Sequence, residues 1–303
     1  MMTSEPRGTT EPTGANEPRG TTEPAGTTEP AGASPNAPLT QRRPRKLGFG
    51  GEVARLYARY RRGYPPAAID AIVDRFGLSR NDTVIDLGCG TGQLTVPVAA
   101  RVRSVVGVDP EPDMLWLARG HDEDAPNVTW VLGSDEELPA IGASLGNRPT
   151  GAITVATALH WTDDMAVFQT AHKLVRPGGG VAVVTNGKPL WQLEIGWSRA
   201  LRGFLEGWMG RPATMACGTD SDAQQRYRDH LGTAGLRVSA TRVAYDDTLD
   251  FDHLVGGVLS TFPVQMLPNG EERQHFRDGL RDAVGDGPFP ETVEVGLLFG
   301  VRA

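Results

Sequence analysis

The stretch Val84-Ile85-Asp86-Leu87-Gly88-Cys89-Gly90-Thr91-Gly92-Gln93-Leu94 constrains this chain more than any other. An apolar run passes straight into a turn with glycine at every second position, and a helix-forming run follows. Glycine lacks a Cβ, so the backbone there is free to take positive φ and to let a ligand lie against bare main chain. A helix starting just past such a turn points its free N–H groups and the positive end of its dipole at that ligand. Asp86, at the carboxyl end of the strand, adds an acceptor for an ammonium or hydroxyl group. Some twenty residues on, Ser104–Asp109 reads as a second strand ending in an acid, a position suited to gripping a ribose diol.

The alternation continues down the chain. Strands are expected at Thr83–Leu87, Ser104–Asp109, 127–132, 152–156 and 181–185, separated by helices at 94–103, 110–120 and Asp164–Leu174. A helix at 67–76 leads into the first strand, and Arg176-Pro177-Gly178-Gly179-Gly180 reads as a turn. Five β units alternating with helices predict an α/β fold with a doubly wound sheet. Strands at 238–245 and 292–301 bring it to seven, with helices at 251–262 and 271–283 between them. The segment 188–236 is helical in pattern and rich in aromatics, namely Trp191, Trp197, Phe204, Trp208 and Tyr227.

Residues 1–46 are a different material. Thr-Thr-Glu-Pro recurs at 9–12, 21–24 and 27–30, with Glu-Pro-Arg-Gly at 5–8 and 17–20. Such a sequence has too few large apolar side chains to offset the entropy of ordering, and a disordered tail is expected ahead of a domain at 47–303. The tail holds six basic and five acidic residues, so the remainder carries 24 against 32, a net of −8. That balance is a poor match to polyanionic nucleic acid. Two cysteines make no disulfide framework, and His, Cys and carboxylates do not recur at metal-ligand spacing. No apolar run approaches a membrane span, so a cytoplasmic protein is expected. Nothing in the sequence specifies an oligomeric state.

Two cofactors fit the glycine turn. A dinucleotide fingerprint asks for a third glycine at position 93, where Gln93 stands. The spacing Asp86-x-Gly88-x-Gly90-x-Gly92 instead resembles the D-x-G-x-G-x-G motif of class I S-adenosylmethionine-dependent methyltransferases. Tyr57-Ala58-Arg59-Tyr60-Arg61-Arg62-Gly63-Tyr64-Pro65 is similar to the Y-x-x-Y-R-P-x-Y-P stretch of the type 11 small-molecule group, with Arg62 where that group has proline. Gly133-Ser134-Asp135-Glu136-Glu137-Leu138-Pro139 resembles its G-D/S-A-E-x-L-P stretch, Asp135 replacing a small residue. Ala158-Leu159-His160-Trp161 is close to its A-x-H-W ending, although Gly151 stands where the fourth strand usually opens with Asp.

The resemblance implies a Rossmann-like fold with a helical substrate cap at 188–236, between the fifth and sixth strands. It implies S-adenosylmethionine as cofactor, held by Asp86, Gly88, Cys89, Gly90 and Gly92 at the glycine turn, with Asp109 and Pro110 at the ribose. Met114 and Ser134, Asp135 and Glu136 would surround adenine, while Tyr57, Tyr60 and Arg61 would line the methionine end, with Thr157 a further cofactor-binding candidate. Methyl transfer from a sulfonium needs alignment and desolvation, and a base only where the acceptor must lose a proton. His160, at the carboxyl edge of the sheet, is the candidate base. The aromatic-rich cap points to a compact small-molecule acceptor. The competing readings are an NAD-dependent oxidoreductase and a non-catalytic S-adenosylmethionine-binding partner protein. A methyltransferase acting on protein or nucleic acid is a third.

Overall fold

A computed structural model describes residues 48–303 apart from 122, 147–149 and 216. The expected tail at 1–46 lies outside them. The N-terminal helix α1 (Glu52–Tyr60) and α2 (Pro66–Phe76) precede β1 (Thr83–Leu87). Then follow α3 (Thr95–Ala99), β2 (Ser104–Asp109), α4 (Pro112–Ala118), β3 (Val128–Leu132), α5 (Leu138–Ser144) and β4 (Thr150–Ala156). After α6 (Asp164–Leu174) and β5 (Val175–Asn186) come α7 (Gly196–Met209), α8 (Ser221–Thr233) and β6 (Arg237–Leu249). The chain closes with α9 (Phe251–Leu259), α10 (Gly270–Val284) and β7 (Phe289–Val301).

The strands form one seven-stranded sheet in the order β3-β2-β1-β4-β5-β7-β6. The first five are parallel, and β7 is antiparallel to both β5 and β6. Strand order reverses between β2-β1 and β4, which opens a crevice beyond the carboxyl ends of β1 and β4. The period-two alternation of the strands divides the core. Val84 joins Ile72, Phe76 and Val98 on one face, while Ile85 and Leu87 join Phe168, Tyr227 and Leu231 on the other.

Element boundaries differ from the expected ones where glycine and proline intervene. Helix α4 starts at Pro112 rather than 110, because proline suits the first helical position and the Glu111 N–H is already given to Asp109 Oδ1. Helix α3 is only five residues long, the chain returning to the sheet as Arg103 N donates to Asp82 O. The expected turn at 176–180 is a bulge within β5: the register passes from Thr150↔Val175 to Ala152↔Gly180. A Cβ on Gly179 would lie 2.3 Å from Gly151 O, and one on Gly180 would lie 2.0 Å from Gly300 O.

The helical segment expected at 188–236 divides between two cores. Helix α8 packs on the sheet through Ala223, Tyr227 and Leu231. Helix α7 instead shares a separate core with α9 and α10, built on Leu201, Leu205, Leu254, Val258, Phe276 and Leu280. The cap is therefore assembled from α7 and from the α9–α10 insertion between β6 and β7, two stretches far apart in sequence. Among the described residues, no helix is long and apolar enough to cross a membrane.

Candidate functional site

The three glycines of the turn do different work. Gly88, Gly90 and Gly92 all have positive φ, at 70°, 55° and 90°. A Cβ on Gly88 would meet Ala158 Cβ at 2.3 Å, and one on Gly92 would press on the Trp130 ring at 3.0 Å. Both therefore serve close packing of the loops. Gly90 keeps an open face, its nearest neighbour in that direction being Tyr57 Cε1 at 3.8 Å.

Two carboxylates flank the turn, each held by two donors. Asp86 is 1% exposed, with Thr154 Oγ1 donating to Oδ1 at 2.6 Å and Thr95 Oγ1 donating to Oδ2 at 2.5 Å. Burial pushes its pKa up to about 6, against the opposing pull of those hydroxyls. Asp109 accepts from Gly90 N and Glu111 N, both at 2.9 Å. Its pKa is also raised to about 6 by burial, with the charges of Glu111 and Asp86 adding to the shift.

A cleft opens over the turn. Its sheet wall carries Asp86, Gly88, Cys89, Gln93 and Thr157, and α1 with the loop after it supplies Tyr57, Tyr60, Arg61 and Tyr64. Thr157 has φ 51°, a left-handed conformation that a β-branched residue adopts at a cost of about 1–3 kcal/mol. Its Oγ1 lies 3.2 Å from Tyr64 Oη and also bonds the Tyr57 side chain. Burial raises both phenols, so they stay protonated as donors. Arg61 stacks over the Tyr57 ring at 5.1 Å, and its Nε donates to Ser260 Oγ at 2.9 Å. Arg62 pairs with Asp247 at 2.6 Å and with Glu291, which accounts for a cation where the resembled group has proline.

Other expected residues lie off this cleft. Met114 is 4% exposed, on the inner face of α4. Ser134 caps the short helical turn that begins at Asp135, accepting from Glu136 N and donating to Glu137 Oε2. Asp135 Oδ2 is committed to Asp163 N at 3.0 Å, at the start of α6. Pro110 follows Asp109 in the bend before α4. His160 does not line the cleft; its ring packs against Trp161, with centroids 4.9 Å apart. Burial lowers its pKa to about 4, so it is neutral at pH 7.

Apart from Trp191, sequence reasoning did not single out the far wall, formed by Asn186, Lys188, Trp191, Cys217, His253 and Thr261. The aromatic richness of 188–236 was the one signal for it. Whether Trp191 faces the cleft depends on packing against α9, about sixty residues away in sequence. Among the described residues, no group of three or more His, Cys, Asp or Glu is placed to hold a metal ion.

Comparisons with known proteins agree with this geometry. Residues 84–179 match the family described as methyltransferase domain. An uncharacterized methyltransferase of Mycobacterium bovis, Mb3374, is 36% identical over 160 residues, covering 53% of this chain and 59% of that protein. An uncharacterized methyltransferase of Schizosaccharomyces pombe, C25B8.09, is 24% identical over 160 residues, covering 52% of this chain and 59% of that one. The chain thus spans less than two thirds of the length of these relatives. Among solved structures, a protein of Anaeromyxobacter dehalogenans provisionally named a type II methyltransferase superposes with a TM-score of 0.54 at 19% identity. That superposition covers 80% of this chain and 98% of the other, and it shows the shared α/β Rossmann-like fold. Residues 84–179, which hold the glycine turn and the acid ending β2, thus match a methyltransferase domain within an α/β Rossmann-like fold.

Proposed function

We propose that the protein transfers the methyl group of S-adenosylmethionine to a small-molecule acceptor enclosed between the sheet edge and the α7–α9–α10 cap. The observation that carries this reading is the pairing of an open-faced Gly90 with Asp109, whose carboxylate is aimed by the Gly90 and Glu111 N–H groups. Each Asp109 oxygen accepts one backbone bond and keeps a lone pair for a ribose hydroxyl. Thr91 Oγ1, in the same turn, is buried without a partner among the described residues, as expected of a site completed by a ligand.

The residues fit the cofactor as follows. Asp109 and Pro110 border the ribose, with Met114 and the Ser134–Glu136 turn toward adenine; Asp135 contributes there through its backbone, its carboxylate being engaged elsewhere. Gly88, Cys89, Gly90 and Gly92 shape the turn, and Asp86 and Tyr57 border the methionine end. Arg61 has no ion-pair partner among the described residues and offers its guanidinium to the methionine carboxylate. The bound cofactor supplies a methyl group already activated on sulfur. The chain's part is to align the acceptor and exclude water. A base role for His160 applies only to an acceptor that must shed a proton, and an imidazole with a pKa near 4 is a weak proton acceptor.

The net charge of −8 over 47–303 supports a small acceptor over nucleic acid, and a cytoplasmic site of action goes with this reading. Calorimetric titration with S-adenosylmethionine, S-adenosylhomocysteine and NAD in parallel tests it. Saturable binding of the two sulfur ligands without NAD is expected. Binding of NAD alone would turn the reading toward an oxidoreductase, and silence from both sulfur ligands would end it.

A further inference from the structure

We propose that the acceptor is a small organic carboxylic acid, held by Lys188 and Trp191 and methylated on its own carboxylate oxygen; this rests on the S-adenosylmethionine reading of the same cleft. Arg62 is bound by Asp247 and Glu291. Lys188 also lines the cleft and is exposed, yet it enters no ion pair or hydrogen bond among the described residues. Three residues on, Trp191 lines the cleft and is 4% exposed, and its Nε1–H has no acceptor among the described residues.

An ammonium and an indole N–H are donors only, with no capacity to accept. Carried on one short segment, they suit an anion with adjacent oxygens. Apart from Asp86 on the sheet wall, the ionisable groups of the cleft are donors or already engaged. The Tyr57 and Tyr64 phenols and the Cys217 thiol are all held protonated by burial. His253 is engaged at Nδ1 by Asp250 Oδ1, 2.8 Å away, and its ring stands edge-on to Tyr60. Asn186 Oδ1, buried without a partner among the described residues, is left for a hydroxyl elsewhere on the acceptor.

The cofactor reinforces the sign of the field. It brings two positive charges and one negative, and Arg61 and Asp86 balance its carboxylate and ammonium. The sulfonium and Lys188 then remain as uncompensated cations, and they draw an anionic acceptor. The chemistry balances without a base. A lone pair on one carboxylate oxygen forms the new O–C bond while the C–S bond breaks, its electron pair staying on sulfur. The products are a neutral methyl ester and a neutral thioether, and no proton is released. Lys188 and Trp191 hold the oxygen that does not react.

The test uses the full chain saturated with S-adenosylhomocysteine and two probes of matched shape, phenylacetate and 2-phenylethanol. Phenylacetate should bind at least tenfold more tightly. Lys188→Ala should erase that preference, and Lys188→Arg should retain most of it, with S-adenosylhomocysteine affinity unchanged in both. With methyl-labelled S-adenosylmethionine, label transferred to phenylacetate should be released as methanol by mild alkali. Equal binding of the two probes, no binding of either, or an alkali-stable product would overturn the carboxylate assignment. Failure to bind S-adenosylhomocysteine at all would instead remove the methyltransferase reading beneath it.

Discussion

On the sheet side of the site, Asp86 in the cleft wall and Asp109, bonded to the glycine turn, are each held by two donors, whereas on the cap wall Lys188 and Trp191 Nε1 meet no partner among the described residues. The sheet side has its carboxylates fixed before any ligand arrives, with a strained Thr157 beside them. The second wall has hydrogen-bonding capacity to spare. A cofactor common to many reactions suits a preformed wall, while an acceptor particular to one suits a wall that only its own ligand completes. Perturbing the two walls should therefore give different results.

The largest effect is expected on the sheet wall, from Gly88→Ala. The new Cβ would sit 2.3 Å from Ala158 Cβ at a φ of 70°. Overpacking and left-handed strain together should cost about 2–5 kcal/mol of stability in denaturant melts. Adding Ala158→Gly should return the overpacking part and leave roughly 1–2 kcal/mol of backbone cost. No recovery in the double variant would mean that the turn has a different requirement for glycine.

Next in size is Asp109→Ala, which leaves the ribose hydroxyls and Gly90 N without their acceptor. S-adenosylmethionine affinity should fall by about 1–3 kcal/mol, read by calorimetry. Lys188→Ala should leave that affinity where it was. If both variants weakened the cofactor equally, the division into two walls would not hold.

The buried carboxylates also predict a pH dependence. Asp86 titrates near 6 in the folded chain and near 4 in an unfolded one. A raised acid binds its proton more tightly when folded, so its stabilising contribution is complete below about pH 4 and is lost as pH rises through about 6. Between pH 5 and 7.5 that loss amounts to about 1 kcal/mol. His160 has the opposite sign, its lowered pKa withdrawing stability as pH falls toward 4. Measuring Asp86→Asn against the parent at each pH cancels the histidine. The gap between them should shift by about 1 kcal/mol in the variant's favour toward neutral pH. A gap independent of pH would mean that Asp86 titrates normally.

How much of this was legible in the sequence follows the same division. Strands Thr83–Leu87 and Ser104–Asp109 were readable because unbroken apolar runs ending in an acid have few other uses in an α/β chain. Gly151, a departure from the resembled motif, has a packing reason that only the fold reveals: a Cβ there would lie 2.6 Å from Leu78 Cδ2 and 2.8 Å from Asp82 Cβ. Asp135 reads as a ligand-facing carboxylate until the start of α6 is seen to use it. The cap was the least legible part. Helices α7 and α8 are neighbours in sequence, and nothing local says that one covers the sheet while the other joins α9 and α10.

The smallest effect should come from a residue that links the two walls. Ser260, fully buried at the end of α9, accepts from Arg61 Nε and donates to Gly257 O at 2.7 Å. A cap residue thereby orients the arginine assigned to the cofactor's carboxylate. Ser260→Ala removes that acceptor but leaves Arg61 stacked on Tyr57. The loss in S-adenosylmethionine affinity should be about 0.5 kcal/mol, roughly a factor of two, since Arg61 is only partly buried and water can replace the hydroxyl. Thr261→Val, one residue on, removes a hydroxyl bonded to Val258 O and away from Arg61, and it should leave the affinity unchanged. A measurable drop in Ser260→Ala alone would tie cap position to cofactor grip, so that closing the cap and holding the methyl donor are one event. Equal behaviour of the two variants would mean that the walls act independently.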